Sequence, residues 1–215
     1  IGTLLRQLGG AELIGVTLPA VIADGVVSTA ANIDESWLFT ETGSWMRSIT
    51  DTPSLVLNDA DAAGIAEMRF GAGRDQGGTV VMITLGTGIG SALFHQSTLV
   101  PNTEFGHLHL HHGDAEEWAA ESARIEDELS WKEWSSRVSA YLCHLEELLW
   151  PDLFIIGGGV SRHAEKFIPR LETRTKVVPA QLENAAGIVG AAIYAHEQQS
   201  QLVSPEDAAA DHTQG

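Results

Sequence analysis

The sequence predicts an α/β protein organised on a largely parallel, buried sheet. Three observations carry that prediction. Apolar runs rich in β-branched residues alternate with helical patterns from residue 12 to residue 198. The strongest runs, 79–85 (TVVMITL) and 152–156 (DLFII), are almost continuously hydrophobic, as strands covered on both faces are. Each of those two runs ends in a glycine-rich turn, 86–90 (GTGIG) after the first and 157–159 (GGG) after the second.

In chain order, residues 1–8 read as the tail of an amphipathic helix, and 12–18 (ELIGVTL) as a strand ending in a turn at Pro19. Residues 25–30 (GVVSTA) read as extended, and 32–45 as loop plus short helix around Trp37 and Trp45. A buried strand at 54–57 (SLVL) leads through Asn58-Asp59 into an alanine-rich helix at 60–70. The glycine-rich stretch 71–78 (GAGRDQGG) then separates two lobes, 1–75 and 76–183. Beyond it come the strand 79–85, the glycine turn and a second strand at 91–95. Helical spacing covers 116–128 and 131–150, the latter burying Val138, Leu142, Leu145, Leu148 and Leu149. The strand 152–156 is followed by a helix at 162–171, a short strand at 176–179 and a helix at 185–198. From residue 199 the chain is polar and reads as a disordered tail.

Composition excludes several classes of function. The chain has 215 residues, with 12 Lys+Arg against 29 Asp+Glu and a formal net charge of −17. That balance disfavours duplex nucleic acid as a partner, because neutralising phosphates needs a basic face. No apolar run approaches the roughly 18 residues of a spanning helix, so no membrane partner is expected, and no secretory signal opens the chain. A single cysteine, Cys143, rules out an internal disulfide and a multi-cysteine metal site, which suits a reducing cytoplasm.

Four clusters could carry chemistry. In the GTGIG turn, Gly86, Thr87 and Gly88 let backbone N–H groups approach a phosphate without Cβ obstruction. A strand rather than a helix follows, which argues against a dinucleotide site; an ordinary tight hairpin is the alternative. Asn58-Asp59 stands where a buried strand gives way to a helix, so Asp59 either takes a proton from a substrate hydroxyl or caps the helix. Glu104 and His107, in Glu104-Phe105-Gly106-His107, could clamp neighbouring sugar hydroxyls, with a solvated histidine-rich edge as the alternative for His109, His111 and His112. Gly157, Gly158 and Gly159 could meet a phosphate or nucleotide, or simply permit close strand–helix packing. Arg162, Lys166 and Arg170 step by four towards Arg174, a solvated helical face or a track for a polyanion.

Taken together, the segments 57–67 (LNDADAAGIAE), 83–92 (ITLGTGIGSA), 99–108 (LVPNTEFGHL), 150–161 (WPDLFIIGGGVS) and 184–192 (NAAGIVGAA) resemble the ROK family of sugar kinases, above all its polyphosphate glucokinases. The resemblance spans residues 12 to 195. It implies an actin/hexokinase-like (ribonuclease H-like) two-lobed ATPase fold, usually dimeric, with the 184–198 helix packed back on the first lobe. The reaction it implies is transfer of a phosphoryl group from inorganic polyphosphate or ATP to the 6-hydroxyl of glucose. Mg²⁺ would accompany the donor phosphates. An ATP-only hexose kinase and a sugar-sensing regulator are the alternatives.

Carried over, Asp59 looks like the catalytic base, with Asn58, Asp59, Glu104, His107, Glu117 and Asn32 as the sugar pocket. Gly86, Thr87 and Gly88 resemble one phosphate loop, and Gly157–Gly159 the segment beside the rest of the donor. Many members carry a Cys-x-Cys zinc motif after the Glu-Phe-Gly-His segment; His111-His112-Gly113-Asp114 stands here instead, so no zinc is expected. The family's Pro-Gly turn is Pro19-Ala20. Its first phosphate loop, Asp-x-Gly-Gly-Thr/Ser, has no counterpart. The resemblance therefore implies an incomplete N-terminal lobe and a chain lacking part of its donor site, hence inactive or poorly folded by itself.

Overall fold

The computed structural model describes residues 3, 7, 10–31, 33–110 and 113–202. Most of the helix expected at 1–8, together with Asn32, His111, His112 and the tail beyond 202, lies outside the described residues.

The chain opens with β1 (Ile14–Leu18), the short hairpin β2 (Ile22–Ala23) and β3 (Val26–Val27), helix α1 (Thr42–Thr50) and β4 (Ser54–Asn58). β1 and β4 run parallel, Leu18 opposite Asn58. The extended stretch expected at 25–30 is mostly loop, with only Val26 and Val27 paired.

Helix α2 (Asp59–Phe70) leads to β5 (Thr79–Leu85), β6 (Ile89–His95) and β7 (Thr98–Val100). Further on lie β8 (His109–Leu110), β9 (Gly113–Asp114), α3 (Ala115–Ala119), α4 (Glu121–Glu126) and α5 (Trp131–Leu149). The chain then passes through β10 (Leu153–Gly157), α6 (Ala164–Phe167), β11 (Lys176–Pro179) and α7 (Ala186–Leu202).

The central sheet has the order β11-β10-β5-β6-β7. It is mixed, not largely parallel: β10 pairs parallel with β5 and β11, whereas β5–β6–β7 are antiparallel. The glycine turn is the reason, since a turn of three residues can only join antiparallel neighbours.

Alternate residues of β5 serve opposite faces. Val81, Ile83 and Leu85 join a core with Trp134, Tyr141 and Phe154 under α5, while Val80 and Met82 join Phe94, Ile155 and Ala66 under α2. Coverage on both faces explains the unbroken apolar run. Ser130 and Glu133 form a reciprocal capping box that starts α5. Val138, Leu142 and Leu145 are fully buried, but Leu148 is exposed beside the stripe that Leu145 and Leu149 continue.

Two expected helices are broken. The 116–128 helix divides at Ala120, whose extended backbone (ψ 163°) separates α3 from α4. The 162–171 helix is a 3-10 turn (Gly159–His163), α6 and a second turn (Ile168–Arg170), because Pro169 has no N–H with which to continue a helix. Arg162, Lys166 and Arg170 therefore do not form one helical stripe. Helix α7 continues to Leu202, into the stretch expected to be tail, and packs along α2 and β1.

Candidate functional site

The carboxyl ends of β4 and β5, the β5–β6 turn and the end of β10 open into one cleft of about 540 Å³. Asn58, Asp59, Gly86, Thr87, Gly88, Glu104, His107, Gly157 and Gly158 all line it, and Gly159, Glu117, Arg162, Lys166 and Arg170 do not. Asn58, Gly86 and Gly157 meet here because each stands where a strand ends, the usual place for a ligand in such sheets, and the loop after β7 brings in Glu104 and His107.

The helix cap is Asn58, not Asp59. Its Oδ1 accepts from the N–H groups of Ala60 (2.8 Å) and Asp61 (3.1 Å), and its Nδ2 donates to the carbonyl of Ala20 (3.2 Å). One buried amide thus starts α2 and fixes the Pro19-Ala20 turn, where Ala20 needs no left-handed backbone. Asp59 is released to face the cleft. Its carboxyl is open to water on that side, yet the protein around it raises its pKa by burial, against a hydrogen bond from the Ala60 N–H. Ala60 packs so closely under Gly90 that a Cβ on Gly90 would stand 3.0 Å from the alanine methyl. That approach brings the aspartate beside the glycine hairpin.

The hairpin lines the cleft with Gly86, Thr87 and Gly88. Gly86 N–H donates to the Gly88 carbonyl (3.0 Å), and the carbonyls of Gly86 and Thr87 are taken by Ser122 N–H (3.1 Å) and Oγ (2.6 Å). With those carbonyls turned to α4, the Thr87 and Gly88 N–H groups have no protein acceptor among the described residues, as an anion-binding turn requires. Gly86 and Gly88 have ordinary negative φ, so the turn does not use glycine for a left-handed backbone. Gly158 does: its φ is 81°, and a Cβ there would come within 2.3 Å of the Leu85 carbonyl oxygen.

On the opposite wall, His107 Nε2 lies 3.8 Å from Glu104, and its Nδ1 lies 3.6 Å from both Asp114 and Glu116. Burial raises the pKa of Glu104; His107 lowers it, while Asp59 and Glu116 add to the rise. Glu116, not Glu117, faces the cleft and accepts the Ile89 N–H (3.3 Å). The one-residue register is set by β8–β9, in which Asp114 pairs with His109 immediately before α3 begins. The sequence left the register between Glu116 and Glu117 open, and it missed Asp114, though an acid following a histidine-rich edge was a signal of sorts. Among the described residues the cleft lining holds Asp59, Glu104, Glu116 and Glu183 but no Lys or Arg.

The basic residues have other partners. Arg162 Nε donates to the Gly159 carbonyl (3.3 Å) and Arg170 Nε to that of Lys166 (3.0 Å), while Lys166 Nζ lies 5.3 Å from the Trp131 ring centre. Arg174 is held by the buried carboxylate of Glu146.

A family model described as the ROK family matches residues 1–118. Over 194 residues the chain is 49% identical to a polyphosphate glucokinase of Mycobacterium tuberculosis (strain CDC 1551 / Oshkosh), covering 90% of this chain and 73% of that protein. Its fold superposes with a TM-score of 0.87 on the inorganic polyphosphate/ATP-glucomannokinase of Arthrobacter sp. strain KM, at 47% identity over 92% of this chain and 81% of that one. A ROK family glucokinase from Streptomyces griseus, solved with glucose and AMPPNP, is 26% identical with a TM-score of 0.76 over 89% of this chain and 84% of that one.

Proposed function

Because the chain belongs to the ROK family, we propose that it transfers the terminal phosphoryl group of inorganic polyphosphate, with ATP as a second donor, to the 6-hydroxyl of glucose. The observation that carries this reading is the meeting of one cleft-facing carboxylate, Asp59, with the open amides of Thr87 and Gly88 in a single cleft.

Glucose lies between Asp59 and the clamp of Glu104, His107 and Glu116, with Asn58 fixing the turn beneath it. Asp59 takes the proton of the 6-hydroxyl as that oxygen attacks the terminal phosphorus and the bridging oxygen leaves with the shortened donor. Hydrogen bonds from Thr87 and Gly88 hold the transferring group in line, and a site closed on the sugar keeps water from taking the phosphoryl group. A lining whose described residues include four carboxylates and no basic side chain suits a donor that arrives with its charge neutralised by a divalent cation, which we assign as Mg²⁺. The metal supplies charge neutralisation of the donor phosphates. Ser161 lines the cleft and Arg162 follows it in the chain, so a polymer leaving past Gly158 meets Arg162 first, with Lys166 and Arg170 beyond.

No helix among the described residues is long and apolar enough to cross a membrane. We assign the enzyme to the cytoplasm as a homodimer. The deciding assay couples glucose 6-phosphate formation to a dehydrogenase, with polyphosphate or ATP at matched Mg²⁺. Product with polyphosphate is expected; product with ATP alone would replace this reading by that of an ATP-only kinase.

A further inference from the structure

Asp61 is the N3 residue of α2 and is 2% exposed, yet the chemistry above gives it no task. Its Oδ2 accepts the backbone N–H of Asn102 (2.8 Å), and its Oδ1 is buried with no hydrogen-bond partner among the described residues. Asn102 stands in a left-handed conformation (φ 59°), two residues before Glu104. Its side chain pairs with both backbone groups of Ile22, Oδ1 accepting the N–H (3.0 Å) and Nδ2 donating to the carbonyl (2.9 Å). A hydrogen-bonded chain therefore runs from the base-bearing helix, through the loop that carries the sugar clamp, to the β2–β3 hairpin. That hairpin flanks Ala20 and Thr29 of the cleft wall.

We propose that Asp61 is a positioning residue for the sugar: through Asn102, it holds Glu104 and the β2–β3 hairpin in register with Asp59. The inference rests on the sugar-kinase reading and adds a residue to it.

The surroundings of Asp61 hold its carboxyl well above the usual carboxylate range. Burial pushes the Asp61 carboxyl up to about 7, the Asn102 N–H lowers it, and the charges of Glu104 and Asp59 raise it further. Those two carboxylates face it from the clamp loop and from its own helix; His107 and Glu116 stand behind Glu104. An anion at position 61 would repel Glu104 out of the clamp, whereas a neutral carboxyl accepts the Asn102 N–H without that repulsion.

The test is calorimetric titration with glucose alone, from pH 6 to pH 8.5, on wild type and three variants. Asp61→Asn keeps an acceptor and is neutral at every pH. It is expected to match wild type within about twofold at pH 6 and to bind several-fold tighter at pH 8.5, where wild-type Asp61 is ionised. Asp61→Ala, which removes the acceptor, and Asn102→Ala, which removes the Ile22 pairing, should each weaken glucose binding tenfold or more. In turnover, KM for glucose should move further than kcat. An Asp61→Asn to wild-type affinity ratio that does not change with pH overturns the proposal, as does Asn102→Ala binding within twofold of wild type. If Asp61→Ala does not fold, the other two variants still decide. Failure of wild type to bind glucose at all would instead defeat the sugar reading itself.

Discussion

Replacing Glu67 by Gln should destabilise the protein by several kcal/mol although the residue touches no ligand. Glu67 is fully buried on α2, and its two oxygens hold three backbone donors. Oε1 accepts the N–H groups of Gln181 (2.8 Å) and Leu182 (2.7 Å), and Oε2 accepts that of Ala72 (2.8 Å). A glutamine can still accept two of these bonds through its carbonyl oxygen, but its amide then faces the third N–H donor to donor. The orphaned, part-buried donor costs about 1–2 kcal/mol, and the loss of charge assistance in the remaining two bonds about 1 kcal/mol each, so the total is about 3–4 kcal/mol. At roughly 2–4 °C per kcal/mol for a chain of this size, the midpoint should fall by about 6–16 °C. Thermal melts followed by circular dichroism, with urea unfolding as a check, measure this. A shift below about 2 °C would refute the claim that this one carboxylate ties the 180–182 loop, and with it Ala180 and Glu183 of the cleft, to α2.

The remaining predictions concern the clamp and the acid limb of stability. Glu116→Gln should raise KM for glucose about tenfold or more by loosening His107 and the Ile89 amide, while Glu117→Gln, outside the cleft, should stay within about twofold; equal effects in steady-state assays would reject the assigned register. Burial raises the pKa of Glu146, but hydrogen bonds from Thr175 and Arg174 outweigh it and hold the carboxyl down at about 2. A depressed folded pKa gives stability that is present above the unfolded value near 4.5 and lost as pH falls towards 2. Acid titration of stability should therefore be shallower between pH 4.5 and 2 for Glu146→Gln than for wild type, and parallel curves would contradict the assignment.

What could be read from the sequence divides by range. That the glycine hairpin, Asp59 and the Glu104–His107 turn belong to one candidate site was legible because each is a local pattern a few positions long, and all three line the cleft. Asn58 and Asp59 could not be ranked as helix cap from sequence, since either side chain can accept the free N–H groups of a first turn. The carbonyl of Ala20, distant in the chain, is what engages Asn58 as well. Glu116 and Glu117 differ by one step on a short helix whose phase is fixed by the β8–β9 pairing, a contact with no local signature. The cationic repeat from Arg162 to Arg174 had helical spacing, but Pro169 interrupts the helix and Glu146 claims Arg174. Glu67 and Asp61 were invisible as buried acids because, apart from the Ala72 N–H on Glu67, the amides that satisfy them come from the 181–182 and 102 regions, far along the chain.

The most direct measurement is a paired one on Asp59→Asn: kcat for glucose 6-phosphate formation with polyphosphate, and the dissociation constant of glucose by calorimetry. Removing a general base without removing the pocket should lower kcat by about 10²–10⁴ while glucose affinity stays within about threefold of wild type. A variant that turns over within about threefold of wild type would show that the proton leaves by another route, and the account of the cleft would be wrong.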